Sequence, residues 1–483
     1  MPSTEHLILY ASLSLLASAL LRRRNLVAQG LQFIHKKTRP PSTWSLPILG
    51  DVVYLRLFGY DFVILNSANA AIDLLEKRSR IYSDRLSPPM FKDPSLLNWS
   101  GNAVLLGYSD LWRNYRRIFN NWLGSRAVTQ FHQLKESQAQ RMLQRLVNIC
   151  DDVNPFEEVK RTIYYTIASS TLRLAYGYKL QSDDDVILQN INQTAHYTAQ
   201  AAMFTSTGWK RTAREWRAFK DNAQSIPYEW TKAQLAAGTA EPSILSMLLQ
   251  DSHLTSSLSP KAKEICLKEI SMMIVAAGTD TTSTALVSFV AAIVLNPHVQ
   301  AKAQKEIDDV LGFTSLPKIS DRERLPYVRN LIQEVLRWLP PVPAGVPHAS
   351  WKDDSYRDYE IERGTVVIGN IWAMTRDESV YRDPETFDPD RFICSTVPYP
   401  PAFGWGRRRC AGIHFAEASL FITVATLLAF FEFSKKKDTH GQEITPQLEF
   451  ASNSLVMELK PFDFEVKFRS DIHRQMILEQ GGA

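Results

Sequence analysis

The sequence has little cysteine, no excess of one charge and no repeated or low-complexity segment. Its four cysteines, none of them in a Cys-x-x-Cys pair, are too few for a disulfide scaffold and do not match a zinc site. The 55 Lys and Arg residues nearly balance the 51 Asp and Glu residues, and the net charge of +4 does not indicate a nucleic-acid-binding protein. With 45% hydrophobic and 22% charged residues, the composition excludes disordered and fibrous classes and indicates a globular protein in a reducing compartment.

An uncharged apolar run occupies residues 7–21, and three arginines follow it directly at residues 22–24. As a helix this run would span about 22 Å, against a bilayer core of about 30 Å. A cleaved signal peptide is the alternative, but that design places positive charge before the apolar run. Because the positive charge follows the run, we predict a membrane anchor at residues 1–21 with the rest of the chain on the cytoplasmic side.

The segment after the anchor, residues 22–50, is basic and contains Pro40, Pro41 and Pro47. We expect it to be a stiff linker that holds the following body near the membrane surface. The body, residues 51–483, shows no break in composition, which favours a single large domain. Helical patterns outnumber strand patterns there, so we predict a mainly α protein with small β-sheets.

Apolar residues recur at helical spacing over most of this body. The predicted helices cover residues 68–77, 109–122, 128–147, 163–174, 211–223, 261–295, 299–311 and 324–338. Stretches rich in β-formers on both sides of Gly59 predict a hairpin over residues 52–65. Further short strands are predicted at residues 359–361, at residues 365–368 and near the C-terminus.

Cys410 is the residue that points most directly to chemistry. It lies in the sequence FGWGRRRCAG at residues 403–412, whose glycines permit a tight loop, and an apolar helix is predicted at residues 413–431. A cysteine at a helix N-terminus among arginines is expected to be a thiolate. An ordinary buried cysteine is the alternative. No histidine or asparagine nearby suggests a protease, whereas iron held by one thiolate needs a loop of this kind.

This loop resembles the ligand loop F-x-x-G-x-R-x-C-x-G of the cytochrome P-450 superfamily of haem-thiolate monooxygenases. The matching residues are Phe403, Gly406, Arg408, Cys410 and Gly412. The resemblance implies the cytochrome P-450 fold and a haem b whose iron is bound by Cys410. It also implies that Phe403 packs beside the sulfur and that Arg408 pairs with a haem propionate. Thiolate ligation supplies electron density that favours O–O cleavage.

Two further matches involve charged residues that are distant from the loop in sequence. Glu334 and Arg337 form the family's E-x-x-R pair, and three residues apart on a helix they can bond to each other. Without the resemblance, a solvated surface pair would be the ordinary interpretation. Arg391 resembles the third member of this triad, whose role in the family is structural, and loss of one partner would leave a buried charge uncompensated.

Residues 277–282, AGTDTT, lie within an apolar predicted helix, where an acid and three hydroxyl groups are costly to bury. The pattern alone is consistent with a helix that is kinked at Gly278 and by threonines bonded back to carbonyl groups. The resemblance implies that Gly278 admits oxygen and substrate. It also implies that Asp280 and Thr281 are the acid–alcohol pair that relays protons during oxygen activation. The complete pair favours oxygen activation over a redox-neutral rearrangement.

Trp112 and Arg116 match the family's W-x-x-x-R helix signature. One helical turn apart, both can reach a propionate, and a bidentate guanidinium suits a carboxylate. A generic amphipathic helix is the alternative. His348, in GVPHAS, occupies a position where members of the family contact the other propionate.

The resemblance extends from about residue 39 to residue 468 and is strongest to fungal microsomal members. It implies a haem-thiolate catalytic domain at residues 51–483 that inserts one oxygen atom from O₂ into a small apolar organic substrate, in fungal secondary metabolism. The implied location is the endoplasmic reticulum membrane, with a single span. The implied electron source is NADPH, through the flavoprotein NADPH-cytochrome P-450 reductase, with cytochrome b5 as a further candidate donor.

Three segments are shorter than the family's pattern: the one before residue 52, the one between residues 192 and 210, and the one between residues 392 and 403. They keep open the alternative of a non-catalytic haem-binding product of a damaged gene. A haem-thiolate isomerase or dehydratase that needs no reductase is a separate alternative, against which Asp280 and Thr281 argue.

Overall fold

The computed structural model describes residues 50–481, apart from residues 58, 88, 151, 153, 202–208, 252, 358 and 452–454. The predicted anchor at residues 1–21 and all but the last residue of the predicted linker lie outside the described residues.

Helices make up most of the described chain. They are α1 (Ala68–Ala71), α2 (Pro89–Lys92), α3 (Asp110–Leu123), α4 (His132–Leu146), α5 (Phe156–Tyr176), α6 (Val186–Ala201), α7 (Trp209–Ala236), α8 (Ile244–Gln250), α9 (Pro260–Leu295), α10 (Pro297–Leu311), α11 (Pro326–Trp338), α12 (Ile371–Met374), α13 (Ile413–Phe430) and α14 (Asp471–Gly481). Helix α1 continues into a π-helical turn at Ile72–Lys77.

The strands form small sheets beside the helices. They are β1 (Val52–Leu57), β2 (Tyr60–Leu65), β3 (His348–Ala349), β4 (Asp354–Tyr356), β5 (Tyr359–Ile361), β6 (Val366–Gly369), β7 (Phe431–Ser434) and β8 (Glu465–Phe468). The largest sheet has the order β1-β2-β6-β3, in which only the β2–β6 pair is parallel. Strands β4 and β5 pair with each other, as do β7 and β8.

Local sequence signals explain where the central helices begin and end. The Ser259 hydroxyl accepts a hydrogen bond from the Ala262 N–H at the start of α9, and Pro260 occupies its first turn. Helix α5 ends at Gly177, whose φ of +72° suits a left-handed cap. Helix α3 is capped by Ser109, which accepts from the backbone N–H of its first turn. These caps fix where α3 and α9 begin and where α5 ends.

The structure confirms the predicted hairpin and each predicted helix, although several bounds differ. Helix α7 continues beyond the predicted end at residue 223 and includes Pro227. Helices α2, α6, α8, α12 and α14 were not predicted from the sequence. In α6 (Val186–Ala201), Asn, Gln and Thr residues interrupt the apolar spacing, so its helical period is weak.

The hydrophobic core surrounds α9, which contacts α5 more extensively than any other helix. By length and composition, α9 and α13 could each cross a bilayer, but 72% and 83% of their most apolar windows are buried inside the protein. Burial of that extent is typical of core helices.

Candidate functional site

A cavity of about 320 Å³ lies beside α9, in the centre of the described chain. Its wall is mainly apolar and comes from α3, α5, α9, residues 341–346 and the cysteine-bearing segment at residues 402–412. None of the described residues of α6 and α7 lines it. The cavity therefore brings together most of the motifs that the sequence analysis identified.

The cysteine-bearing segment forms a tight loop before α13. Gly406–Arg408 is a single 3-10 turn, and Gly406 has a φ of +54°. A Cβ at Gly406 would lie 2.3 Å from the carbonyl oxygen of Leu75. The Gly406 N–H donates to Glu76 Oε2 at 2.5 Å. Both the backbone conformation and the close approach require glycine, which explains the glycine in the motif.

Cys410 and Phe403 both line the cavity, and the Cys410 N–H donates to the Phe403 carbonyl oxygen at 2.9 Å. Burial raises the pKa of the Cys410 thiol. The Gly412 amide and the charges of Arg116 and Arg409 oppose this shift without outweighing it. Desolvation is thus a larger effect than the charges beside the cysteine, and the predicted thiolate stays a prediction. A metal ion bound to the sulfur would deprotonate it outright.

Arg409, next to the cysteine, lines the cavity, and so do three further arginines: Arg85, Arg116 and Arg408. Arg116 and Arg408 donate to backbone carbonyl groups, and among the described residues neither forms an ion pair with a carboxylate. Burial, together with repulsion from Arg85, lowers the pKa of Arg408 to about 8. An anionic group bound beside these three cations would relieve that repulsion and accept their hydrogen bonds.

Helix α3 carries Trp112 and Arg116 to the same wall, one turn apart, as their spacing predicted. Trp112 is buried, and the Arg116 guanidinium donates to the Arg409 carbonyl oxygen at 2.8 Å. The hydrogen bond of Arg116 therefore connects α3 to the cysteine-bearing loop.

His348 lies on β3, is buried and lines the cavity. Its Nδ1 lies 2.6 Å from the Tyr82 carbonyl oxygen, which can only accept, so Nδ1 carries the hydrogen. Burial and the charges of Arg85 and Arg408 lower the pKa of His348 well below its usual value. The neutral ring leaves Nε2 as an acceptor, so the arginines provide the positive charge of this site.

Helix α9 contributes Gly278 and Thr281 to the cavity wall. A Cβ at Gly278 would lie 3.2 Å from the Thr171 side chain of α5, so the two helices approach closely there. The Thr281 hydroxyl donates back to the Ala277 carbonyl oxygen at 2.7 Å. This part of the wall combines small residues with the hydroxyl groups of Thr281 and Thr282.

Asp280 is not part of the cavity wall, and the group that acts on it from α5 is the Tyr164 hydroxyl. Burial raises the pKa of Asp280 to about 6. The hydrogen bond from Tyr164 opposes this shift, and the charge of Glu458 adds to it. The structure thus separates the predicted acid–alcohol pair: Thr281 faces the cavity and Asp280 faces a neighbouring helix.

The three charged residues of the predicted triad meet in the structure. Arg337 donates through Nε and Nη2 to the two carboxylate oxygens of Glu334 at 2.7 and 2.6 Å, and Arg391 Nε donates to Glu334 Oε1 at 3.1 Å. Glu334 and Arg337 are fully buried. Arg337 also donates to the carbonyl oxygens of Thr375 and Pro384, so this network joins α11 to the segment before the cysteine loop.

The family model described as cytochrome P450 matches residues 29–466 of this chain. The chain belongs to the cytochrome P450 family. It is 36% identical over 446 residues to cytochrome P450 monooxygenase 208 of Postia placenta, covering 87% of this chain and 84% of the relative. It is 32% identical over 460 residues to a cytochrome P450 monooxygenase of Armillaria gallica, covering 90% of this chain and 88% of that relative. The chain is accordingly an oxidoreductase, a haem-dependent monooxygenase.

Solved structures show the same fold at greater sequence distance. A zebrafish cytochrome P450 solved with abiraterone matches with a TM-score of 0.73 and 21% identity, covering 87% of this chain and 97% of that structure. The same score, at 23% identity, is found for a zebrafish cytochrome P450 solved with progesterone. These matches confirm the predicted cytochrome P450 fold.

The residues around the cavity fit a haem. The cavity is apolar, as a porphyrin requires, and a cysteine sulfur lies on its wall. Arg116 and Arg408 have no carboxylate partner among the described residues, and two propionates would supply the missing negative charge.

Sequence reasoning did not identify Arg85 as a site residue. Arg85 lies in the stretch YSDR, and its side chain donates to the carbonyl oxygens of Val104 and Val346. Charged residues are frequent in the preceding stretch, residues 76–84, so no local pattern singles out Arg85. Its place beside Arg408 depends on how the chain folds back on itself.

Proposed function

We propose that this chain inserts one oxygen atom from O₂ into a small apolar organic substrate, and that Cys410 binds the haem iron while Arg116, Arg408 and His348 surround the propionates. The observation that carries the proposal is that one cysteine sulfur and four arginines line a single, mainly apolar cavity whose other wall holds Thr281. When bound, the haem supplies the oxygen-activating chemistry. Phe403 packs beside the cysteine and Trp112 beside the arginines, so both exclude water from this region.

Thr281 is proposed to hold the proton nearest the cavity, and Asp280 to replace it. Thr281 is the hydroxyl group of the AGTDTT segment that both lines the cavity and bonds only to a helix carbonyl. An apolar wall with few polar groups favours an apolar substrate. A role in fungal secondary metabolism is part of this proposal and is supported by the fungal monooxygenases to which the chain is similar.

The proposed electron source is NADPH through NADPH-cytochrome P-450 reductase, with cytochrome b5 as a second donor. Arg407 and Arg409 are exposed on the cysteine-bearing loop, so a partner with an acidic surface would bind close to Cys410. The proposed location is the endoplasmic reticulum membrane, with residues 1–21 as the anchor and residues 51–483 as the cytoplasmic catalytic domain. Removal of residues 1–21 should release the protein from membranes in a fractionation, and unchanged membrane association would contradict this assignment.

Turnover in ¹⁸O₂ tests the proposed reaction. The purified protein, with haem, reductase and NADPH, is supplied with apolar organic compounds, and products are analysed by mass spectrometry. The proposal predicts one labelled oxygen per product and a strict requirement for NADPH. An isomerase or dehydratase would give unlabelled product without NADPH, and the intact pair of Asp280 and Thr281 argues against that alternative.

A further inference from the structure

The π-helical turn Ile72–Lys77 lies against the cysteine-bearing loop, although 330 residues separate Glu76 from Gly406 in sequence. The side chains of Leu75 and Trp405 belong to one buried apolar cluster. The Leu75 carbonyl oxygen faces Gly406 so closely that a Cβ there would lie 2.3 Å from it. Glu76 Oε2 accepts a hydrogen bond from the Gly406 N–H at 2.5 Å. Two consecutive residues of the π-helical turn therefore contact the same peptide of the loop.

The carboxylate of Glu76 bonds to the loop and not to a cation. Among the residues that the structure describes, no Lys, Arg or His forms an ion pair with Glu76, whereas Lys77 on the same turn pairs with Asp73 at 2.9 Å. Glu76 is exposed, and an exposed carboxylate can stay hydrated without a protein partner. The contact with Gly406 is therefore not needed to bury Glu76, and its effect is on the loop.

The Gly406–Arg408 turn has no side-chain cap from its own flanking residue. Trp405 precedes this turn and makes no capping hydrogen bond to it. The first N–H groups of a helical turn have no acceptor within the turn and need one from elsewhere. Glu76 supplies this acceptor from a distant part of the chain. A carboxylate makes a hydrogen bond roughly twice as strong as a neutral acceptor does.

Backbone hydrogen bonds continue from Gly406 towards Cys410. The Gly406 carbonyl oxygen accepts from the Arg409 N–H at 3.1 Å, and the Cys410 N–H donates to the Phe403 carbonyl oxygen at 2.9 Å. A shift of the Gly406 peptide would therefore move the residue directly before Cys410. The orientation of the cysteine sulfur on the cavity wall thus depends on the position of this peptide.

We propose that Glu76 is a positioning residue for the iron ligand: its carboxylate holds the Gly406 peptide, and through this peptide Cys410, in the geometry in which the sulfur binds iron. This inference rests on the proposed role of Cys410 as the iron ligand. Glu76 does not line the cavity, so it acts through the loop and not on the haem directly. Without its hydrogen bond, the loop would sample other geometries, and the bond between sulfur and iron would break more often.

Three substitutions of Glu76 in the haem-loaded protein separate the contact from the charge. Glu76→Gln keeps an oxygen that can accept from the Gly406 N–H but removes the charge. Glu76→Asp keeps the charge on a side chain that is one methylene shorter, and Glu76→Leu removes both. Asp73→Asn is the matched control on the same turn, because Asp73 accepts from Lys77 and Tyr356, away from the cysteine-bearing loop.

The measurement is the rate at which the reduced, CO-bound protein loses its red-shifted Soret band at a fixed temperature. The inference predicts a loss that is roughly tenfold faster in Glu76→Asp and Glu76→Leu, because a hydrogen bond to a charged group is missing. Glu76→Gln and Asp73→Asn should stay close to the wild type. Hydrogen exchange of the peptide that contains Gly406 should become faster only in the Asp and Leu variants.

Equal rates of band loss in Glu76→Leu and the wild type would overturn the inference. A slow loss in Glu76→Asp together with a fast loss in Glu76→Gln would also overturn it, because the charge and not the hydrogen bond would then hold the loop. If Glu76→Leu does not bind haem, the comparison of Glu76→Gln with Glu76→Asp decides the question alone.

Failure of the proposed function is distinguishable from failure of this inference. If Cys410 does not bind the iron, the wild-type protein lacks the red-shifted band from the start. Hydrogen exchange would still report whether Glu76 holds the Gly406 peptide.

Discussion

The guanidinium carbon of Arg408 lies 4.3 Å from the centroid of the Trp112 indole. Arg116, the partner of Trp112 in the W-x-x-x-R signature, is farther from that ring, at 5.9 Å. A cation over the face of an indole is held by the ring quadrupole. The tryptophan therefore positions the arginine of the cysteine-bearing loop, and this contact joins α3 to the loop in addition to the hydrogen bond from Arg116 to the Arg409 carbonyl oxygen.

Replacing Arg408 should weaken haem retention. Arg408→Leu removes one of the three cations, and loss of a hydrogen bond to a charged group costs about 2 kcal/mol, or roughly 30-fold in affinity. The measurement is the rate of haem transfer to an excess of apomyoglobin. Arg407→Leu is the matched control, because Arg407 is the preceding residue, is exposed and donates to the Tyr108 hydroxyl. Equal rates of haem transfer in the two variants would show that Arg408 does not contribute to haem binding.

Loss of the triad carboxylate should destabilise the whole domain. Glu334→Ala leaves Arg337 fully buried without its partner, and breaking a buried ion pair in this way costs about 3–5 kcal/mol. Urea unfolding measures this difference. Asp390→Ala is the control, because Asp390 pairs with Lys302 at the surface and its loss should change the free energy of unfolding little. Similar stability of the two variants would contradict a structural role for the triad.

Gly404 and Gly406, two glycines of the cysteine-bearing loop, should differ in their tolerance of a methyl group. Both have positive φ, +70° at Gly404 and +54° at Gly406. A Cβ at Gly404 meets nothing within 4 Å, whereas one at Gly406 collides with the Leu75 carbonyl group. Gly404→Ala should cost about 1–2 kcal/mol from backbone strain alone. Gly406→Ala should cost clearly more and lower the haem content, as measured by calorimetry and pyridine haemochrome absorbance. Equal losses would show that the contact with Leu75 is unimportant.

A buried carboxyl group away from the cavity should make stability depend on pH. Burial raises the pKa of Glu269 from its ordinary value of 4.5 to about 7. The folded state therefore holds this proton more tightly than the unfolded state. The contribution to stability is greatest below pH 4.5 and is lost as pH rises to 7, in total on the order of 3 kcal/mol.

Glu269→Gln should remove this dependence, so the variant gains stability relative to the wild type between pH 5 and pH 8 in urea unfolding. Glu264→Gln is the control on the same helix, because Glu264 is exposed and its hydrogen bond to Lys268 lowers its pKa. A constant difference between Glu269→Gln and the wild type across this range would show that Glu269 does not titrate there.

Local spacing made much of this site predictable. Several parts of the site each lie within one short stretch of sequence, so local spacing determines their geometry. They are the glycine-containing loop of Cys410, the Glu334–Arg337 pair and the AGTDTT segment. The E-x-x-R spacing led directly to the observed hydrogen bonds, because residues three apart on a helix face one another.

Other features depend on elements that meet only in the folded chain. Tyr164 approaches Asp280 because α5 packs against α9, and no pattern in either segment indicates the pair. Arg85 likewise lies near Arg408 only because distant parts of the chain meet in the fold. For Cys410, the sequence shows the neighbouring charges but not the extent of desolvation, which raises the pKa of the thiol.

The most direct test of the account is the absorption spectrum of the reduced, CO-bound protein, recorded for the wild type and for Cys410→Ala after loading with haem. Binding of the iron by Cys410 predicts a strongly red-shifted Soret band in the wild type and its absence in the variant. A wild-type band at the position typical of histidine or neutral-thiol ligation, or a red-shifted band that persists in Cys410→Ala, would contradict the assignment of Cys410 as the iron ligand.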